Sequence, residues 1–360
     1  MKDNDLDDIL KRAWDREPLS NMDIQGLLSV GEGDDLKELF RVAKAIRRRS
    51  FGDQVFLYGF VYFSTYCHND CSFCFYRSSN QESVRYRKTK DEIIALATSL
   101  EDAGVHLIDL TMGEDPLYRS EGRRHALLDI IGAVNEAVDV PLMASPGVMP
   151  KSMFEPLREA GVDWFACYQE THNRDLFVKL RPDQDYSFRY NQKLWAQDAG
   201  MLAEEGIMIG VGESLRDRAD SIQIMGNQGV RQVRAMTFVP QANTPMWSIP
   251  SSSYTEELVT LAVMRLVHQD KLIPASLDIE GIRGLQPRLD AGANVITSII
   301  PPSEGLAGVA QHDLDINTGG RSAQSIEGML EDLDIKVGST SQYEELIEGW
   351  KRTLRCEVPT

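Results

Sequence analysis

The chain has 360 residues, 42% hydrophobic and 26% charged, with a formal net charge of −17. That length suits two average domains or one large α/β barrel, and the acidic balance argues against a nucleic-acid surface, which needs clustered Lys and Arg. No apolar run reaches the roughly 18 residues that cross a bilayer, and "MKDNDLDDILKRAWDREPLS" has no apolar signal-peptide core, so a cytoplasmic protein is expected.

Residues 1–50 read as helices. "NMDIQGLLSV" opens after a Ser-Asn cap, and "DLKELFRVAKAIRRRS" carries apolar residues at helical spacing. Alternation then begins. The predicted strands are "VFLYGFVYFS", "HLIDLTMG", "VPLMASPG", "WFACYQE", "GIMIGVG", "QVRAMTFVP", "IPASLDI" and "NVITSII". Between them lie helical segments, among them "TKDEIIALATSLEDAG", "RRHALLDIIGAVNEAV", "DYSFRYNQKLWAQDAGMLAEE" and "YTEELVTLAVMRLVHQD". Eight such units over about 250 residues is the count of a (β/α)8 barrel of the TIM type. Near-continuous apolar strands fit a parallel sheet covered by helices. An open doubly wound sheet is the alternative, but no G-x-G-x-x-G follows the first strand. The expected organisation is a helical segment over 1–50, a barrel over 51–305 and a C-terminal extension over 306–360. That extension opens on the polar, Gly-rich "QHDLDINTGGRSAQS" and continues into two short helical pieces.

Barrel chemistry sits where strands end, on the loops that follow. Directly after the first strand stand Cys67, Cys71 and Cys74, three of the five cysteines. In a reducing compartment, bunched cysteines serve metal or redox chemistry rather than a disulfide framework. Thiolates select zinc, copper(I) or iron–sulfur clusters. Structural zinc takes four protein ligands, and His68, adjacent to Cys67, is badly placed to reach the same ion. A 4Fe–4S cube on three thiolates leaves one iron open to an outside ligand. A zinc site completed by a distant residue stays open as the alternative. The six histidines are scattered and form no HxH or HExxH group.

The stretch "CHNDCSFC", with aromatic Phe73 before its last cysteine, resembles the CxxxCx(aromatic)C motif of the radical S-adenosylmethionine (radical SAM) superfamily. The resemblance implies a 4Fe–4S cluster and S-adenosylmethionine (SAM) as cofactors. The open iron would chelate the methionine end of SAM, and one electron would release a 5′-deoxyadenosyl radical able to abstract hydrogen. It also implies an electron donor such as flavodoxin or ferredoxin.

Further segments resemble the biotin synthase and hydrogenase-maturase branch. "LTMGED" stands where that branch carries a GGE-like motif, matched only in Gly113 and Glu114. "YQETHN" and "SFRYN" place Glu170 and Arg189 at positions that bind the methionine moiety there, with Arg181 a competing candidate. Ser145 is expected at the ribose, and "GVGE" (210–213) near the nucleoside. Biotin synthase holds a second cluster on strand cysteines; strands two, three and five here have none. Cys167 reads as a buried small hydrophobe.

Charged residues inside apolar strands are costly unless a ligand or one another satisfies them. Asp109, Arg234 and Asp278 are such residues, and Ser276 lies two residues from Asp278 on one strand face. Two acids and one base suit a diamino acid, two ammoniums and one carboxylate; an internal Arg–Asp pair is the structural alternative. Over nearly its full length the chain also resembles the 3-methylornithine synthase family of pyrrolysine biosynthesis, in "YFSTYC", "SPGVM", "VRAMTF", "LIPASLDIEGI" and "LDAGANVITSIIPP". That resemblance implies a lysine mutase. A hydrogen atom leaves the L-lysine side chain, the skeleton fragments to a glycyl radical and an alkenyl amine, and recombination gives (3R)-3-methyl-D-ornithine. It also implies a substrate pocket of Asp109, Arg234, Ser276 and Asp278. Two other readings stand beside it: a radical SAM enzyme of the same branch acting on a different small amino acid, and a zinc-stabilised binding barrel without catalysis.

Overall fold

The computed structural model describes residues 3–301 and 321–357. Three helices come first: α1 (Asp3–Trp14), α2 (Asn21–Leu28) and α3 (Asp34–Phe51). Ser20 caps α2 in a reciprocal box with Asp23, satisfying two otherwise unpaired N–H groups. The apolar faces of these helices join the core that surrounds the barrel strands.

The barrel follows as β1 (Gln54–Ser64), α4 (Lys90–Asp102), β2 (Leu107–Met112), α5 (Pro116–Arg119), α6 (Arg124–Ala137), β3 (Leu142–Ser145), α7 (Phe154–Glu159) and β4 (Val162–Ala166). It continues through α8 (Arg174–Leu180), α9 (Tyr186–Asp198), β5 (Leu202–Ile209), α10 (Leu215–Asn227), β6 (Gln232–Thr237), α11 (Tyr254–Val267), β7 (Pro274–Ser276), α12 (Leu285–Asp290) and β8 (Val295–Ile299). The strands run parallel in the order β6-β5-β4-β3-β2-β1-β8-β7, so the expected (β/α)8 architecture is what forms. Closure between β6 and β7 rests on a single bridge, Gln232 to Leu272. The reason is local: β7 is three residues long and opens on Pro274, which has no N–H to donate.

Two expected elements differ. The helix read through Glu205 ends at Asp198, because Gly200 takes a positive φ of 87° and turns the chain. Leu202–Glu205 thereby enters β5, which puts two glutamates inside the barrel wall. Asp278 lies beyond β7, in the turn that follows, not on the strand beside Ser276.

The C-terminal part contributes α13 (Ala323–Asp332), β9 (Lys336–Val337) and α14 (Thr340–Glu357). Of the two short helical pieces expected, the second is 18 residues long. Residues 302–320, which hold most of the Gly-rich run, lie outside the described residues. β9 extends the sheet by pairing with the start of β1. Buried His106 ties this junction: its Nδ1 accepts from Leu57 N–H (2.9 Å) and its Nε2 donates to the Gly338 carbonyl (2.7 Å). Burial lowers its pKa, in keeping with the neutral ring these two bonds require. Tyr343, Ile347, Trp350 and Leu354 of α14 pack on Phe56, Tyr58, Trp164, Leu202 and Val295. Those partners stand at or near the beginnings of their strands, so α14 plugs the barrel end opposite the cysteines.

Candidate active site

The loop after β1 is tied down before any cofactor is considered. Ser72 N–H donates to Leu180 O (2.8 Å), His68 N–H to Glu114 O (3.2 Å), and Arg77 pairs with Asp70 (3.0 Å). Gly113 is required here, since a Cβ on it would stand 2.4 Å from the Tyr66 carbonyl oxygen. The glycine after β2 thus lets the cysteine loop cross close over it. Cys67, Cys71 and Cys74 all line one cavity of about 310 Å³ in the barrel mouth. Burial and the neighbouring thiols push the Cys67 and Cys74 thiols up. Cys71 Sγ receives two hydrogen bonds, from Gln184 (3.1 Å) and Arg181 (3.4 Å). Phe73 is half-buried beside them, with the Arg181 guanidinium 5.2 Å from its ring centre.

Next along the cavity come two crossed ion pairs. Glu170 pairs with Arg181 (2.5 Å), and Arg189 pairs with Glu114 (2.9 Å). Glu114 also meets His68 (3.2 Å) and Arg119 (3.1 Å). Burial opposes its ionisation, but these partners outweigh burial and hold the carboxyl well below the usual range. Its seat depends on Gly147, at φ 78°, where a Cβ would lie 2.1 Å from Glu114 Cγ. Arg189 is buried and also donates to Tyr168 O (2.7 Å), so both candidate arginines serve the site. Glu170 itself has a positive φ of 65°, a strained backbone held by its ladder bonds to Gly206 and Met208. Its Oε2 is buried without a partner, and burial raises its pKa.

Deeper in the same cavity lie the strand residues. Asp109 accepts from the Ser145 hydroxyl at 2.7 Å. Ser145, expected at the ribose, therefore spends its proton on Asp109. Burial pushes the Asp109 pKa up to about 7, with Glu204 adding to the rise. Arg234 projects inward, but its Nε is taken by Glu204 at 2.7 Å and its Nη1 contacts Thr297 Oγ1 at 3.3 Å. The internal pair considered from sequence exists, with a glutamate as its acid. Burial disfavours a charged Arg234, yet Glu204 and Tyr168 prevail and its pKa is raised. Asp278 accepts from Ser276 (2.6 Å) and Ser298 (2.8 Å), while Arg321 reaches it at 3.4 Å. Cys167 is buried in the main core and lies just past β4.

The structure thus brings the three cysteines, Phe73, Gly113, Glu114, Ser145, Glu170, Arg189, Asp109, Arg234, Ser276 and Asp278 to one cavity. Residues 210–213, expected near the nucleoside, do not line it: Glu213 there accepts from the Gly210 and Val211 N–H groups and pairs with Arg218. Sequence reading missed Glu204, Ser298, Arg321 and Gln184. Only Glu204 left a trace, as one of two acids abutting the apolar run in "MLAEEGIMIGVG".

Residues 61–225 match the model of the radical SAM superfamily. The 3-methylornithine synthase of Methanosarcina acetivorans is 40% identical over 347 residues, covering 96% of this chain and 98% of that protein. The chain belongs to the 3-methylornithine synthase family. A crystal structure of methylornithine synthase superposes with a TM-score of 0.89 at 38% identity, over 94% of this chain and 99% of that one. The FeFe hydrogenase maturase subunit HydE of Thermotoga maritima is 30% identical over 301 residues, 83% of this chain and 84% of that protein.

A 4Fe–4S cluster and SAM are the cofactors of this radical SAM family, and the residues present fit both. Among the described residues no three His, Cys, Asp or Glu side chains are arranged around a single metal ion. A cube of this kind needs something else: one thiolate on each of three irons and N–H donors toward the sulfurs. Cys71 already receives two such donors. The methionine end of SAM is a zwitterion, and the unpaired Glu170 Oε2 beside two arginines suits it. No helix among the described residues is long and apolar enough to cross a membrane.

Proposed function

We propose that this chain is a lysine mutase, converting L-lysine to (3R)-3-methyl-D-ornithine for pyrrolysine synthesis. The observation that carries the reading is a single cavity lined by Cys67, Cys71 and Cys74 at its mouth and by Asp109, Arg234, Ser276 and Asp278 below.

Cys67, Cys71 and Cys74 hold the cluster, and Phe73 packs beside it. When bound, cluster and SAM supply one-electron cleavage and a species that removes a hydrogen atom from carbon. The chain's own residues then bind and orient. Glu170 and Glu114 address the methionine ammonium, Arg189 and Arg181 its carboxylate, with the Gly113 backbone alongside and the Ser145 oxygen accepting from the ribose. Arg234 takes the lysine carboxylate bidentately, a geometry lysine side chains cannot offer. Asp278, oriented by Ser276, Ser298 and Arg321, takes one ammonium, and Asp109 takes the other. Fixing both ends of a flexible diamino acid leaves the carbons between them presented in one pose, which is the entropic contribution a protein makes to such chemistry. The plugged lower end keeps water from the reacting carbons.

The electron arrives from a flavodoxin- or ferredoxin-type donor, and the compartment is the cytoplasm, where thiols stay reduced. The test is an anaerobic incubation of reconstituted protein with lysine, SAM and reductant. A product of unchanged mass and altered skeleton is expected. SAM cleavage with lysine returned intact overturns the reading in favour of another small amino acid, as in the maturase branch.

A further inference from the structure

The polar lining of the lower cavity is close to self-neutralised before any substrate enters. Arg234 faces Glu204 at 2.7 Å and Arg321 faces Asp278 at 3.4 Å. Glu257 is likewise paired, with Arg288 at 2.6 Å, which leaves Asp109 as a cavity-lining carboxyl without a cationic hydrogen-bond partner among the described residues. It accepts from the Ser145 hydroxyl at 2.7 Å, and the Thr111 side chain also lowers its pKa. Tyr168 beyond β4, Glu204 of β5 and Arg234 of β6 act on it. Glu204 is fully buried and also accepts from the Tyr168 hydroxyl at 3.0 Å. It lies behind Arg234, not among the residues facing the cavity.

Two consequences follow from that placement. Binding Nε fixes the guanidinium plane, so the opposite edge of Arg234 is the one presented to a carboxylate. Glu204 also sets a second buried negative charge near Asp109, and like charges in a low-dielectric site do not both ionise freely. A lysine molecule brings two ammoniums and one carboxylate, one net positive charge. Ionisation of Asp109 matches it.

We propose that Glu204 is a specificity-determining positioning residue, which fixes the presented edge of Arg234 and makes the pocket accept a diamino acid in exchange for one proton leaving Asp109. The proton passes to solvent; no bond to carbon changes in this step. The inference rests on the lysine reading above.

The test is calorimetry of lysine binding to the reconstituted, SAM-loaded protein without reductant, in two buffers of different ionisation enthalpy. With Asp109 titrating at about 7, about 0.9 proton is released at pH 6 and about 0.2 at pH 7.5. The apparent Kd falls as pH rises toward 7, because fewer molecules then have a proton to displace. Glu204→Gln lets Asp109 ionise earlier, so release at pH 6 drops below half and Kd rises at least about tenfold. Glu204→Asp keeps the charge but not the reach: release persists while Kd rises. Asp109→Asn abolishes release. Lysine bound with equal heats in both buffers at pH 6 overturns the inference and leaves the lysine reading standing. No lysine heat at all overturns both. Where Glu204→Gln does not fold, Glu204→Asp carries the test of the positioning role, and a Kd equal to that of the wild type there overturns it.

Discussion

The two ends of the barrel are built from the same eight strands and spend their side chains in opposite ways. At the cysteine end, buried Glu114, Glu170, Arg181 and Arg189 face a cavity, one carboxylate oxygen is left unpartnered and a glutamate sits at positive φ. At the other end Tyr58, Trp164, Leu202 and Val295 meet α14 in one hydrophobic cluster. Tyr58 and Tyr343 share a hydrogen bond of 2.7 Å, and Lys351 reaches Asp163 at 2.5 Å. Burying charge without complete partners costs several kcal/mol. The apolar plug stabilises what the mouth strains, and it lets the cavity be deep without being open below.

Four substitutions would break or sharpen that contrast. The largest effect belongs to Cys71→Ser, expected to abolish cluster assembly and turnover while leaving the far-ultraviolet circular dichroism unchanged; a variant that kept its brown absorption would refute the ligand role. At the opposite end Tyr343→Ala should cost about 3–5 kcal/mol of stability, the usual cost of deleting a buried aromatic, seen as a lowered denaturation midpoint. The difference between the ends predicts that its cluster still assembles. Asp278→Asn comes third: weakened charge-assisted binding worth about 1.5–3 kcal/mol should lower kcat/KM for lysine roughly 10- to 150-fold, with cluster absorption intact. Loss of the cluster in that variant would make Asp278 structural. Smallest is Tyr343→Phe, which deletes only the hydroxyl pair and should cost about 1 kcal/mol. A change in lysine KM there would mean that the floor reaches the substrate.

What could be read in advance was what is encoded locally. Three thiols in eight residues after a strand, the apolar β-branched runs and the Ser-Asn cap are short-range patterns, and the structure keeps the cap at Ser20 and the runs as strands. Arg234 and Asp109 were legible because a charge inside an apolar strand has few explanations. Glu204 was not, because "MLAEEG" continues a helical period and only the positive φ of Gly200 ends it. Ser298 and Arg321 read as ordinary polar residues. Their meaning arises when β8 and the chain after residue 320 come to the turn that holds Asp278.

The sequence by itself determined the barrel class, the cluster loop and which inward charges need partners, since periodicity, spacing and desolvation act on neighbouring residues. Tertiary structure alone decided who those partners are. Glu170 meets Arg181 and Arg189 meets Glu114, Arg234 is backed by Glu204, and the C-terminal helix closes the floor instead of the mouth. Each of these joins strands or helices distant in the chain, and burial makes a charge choose whichever opposite charge the fold brings within reach.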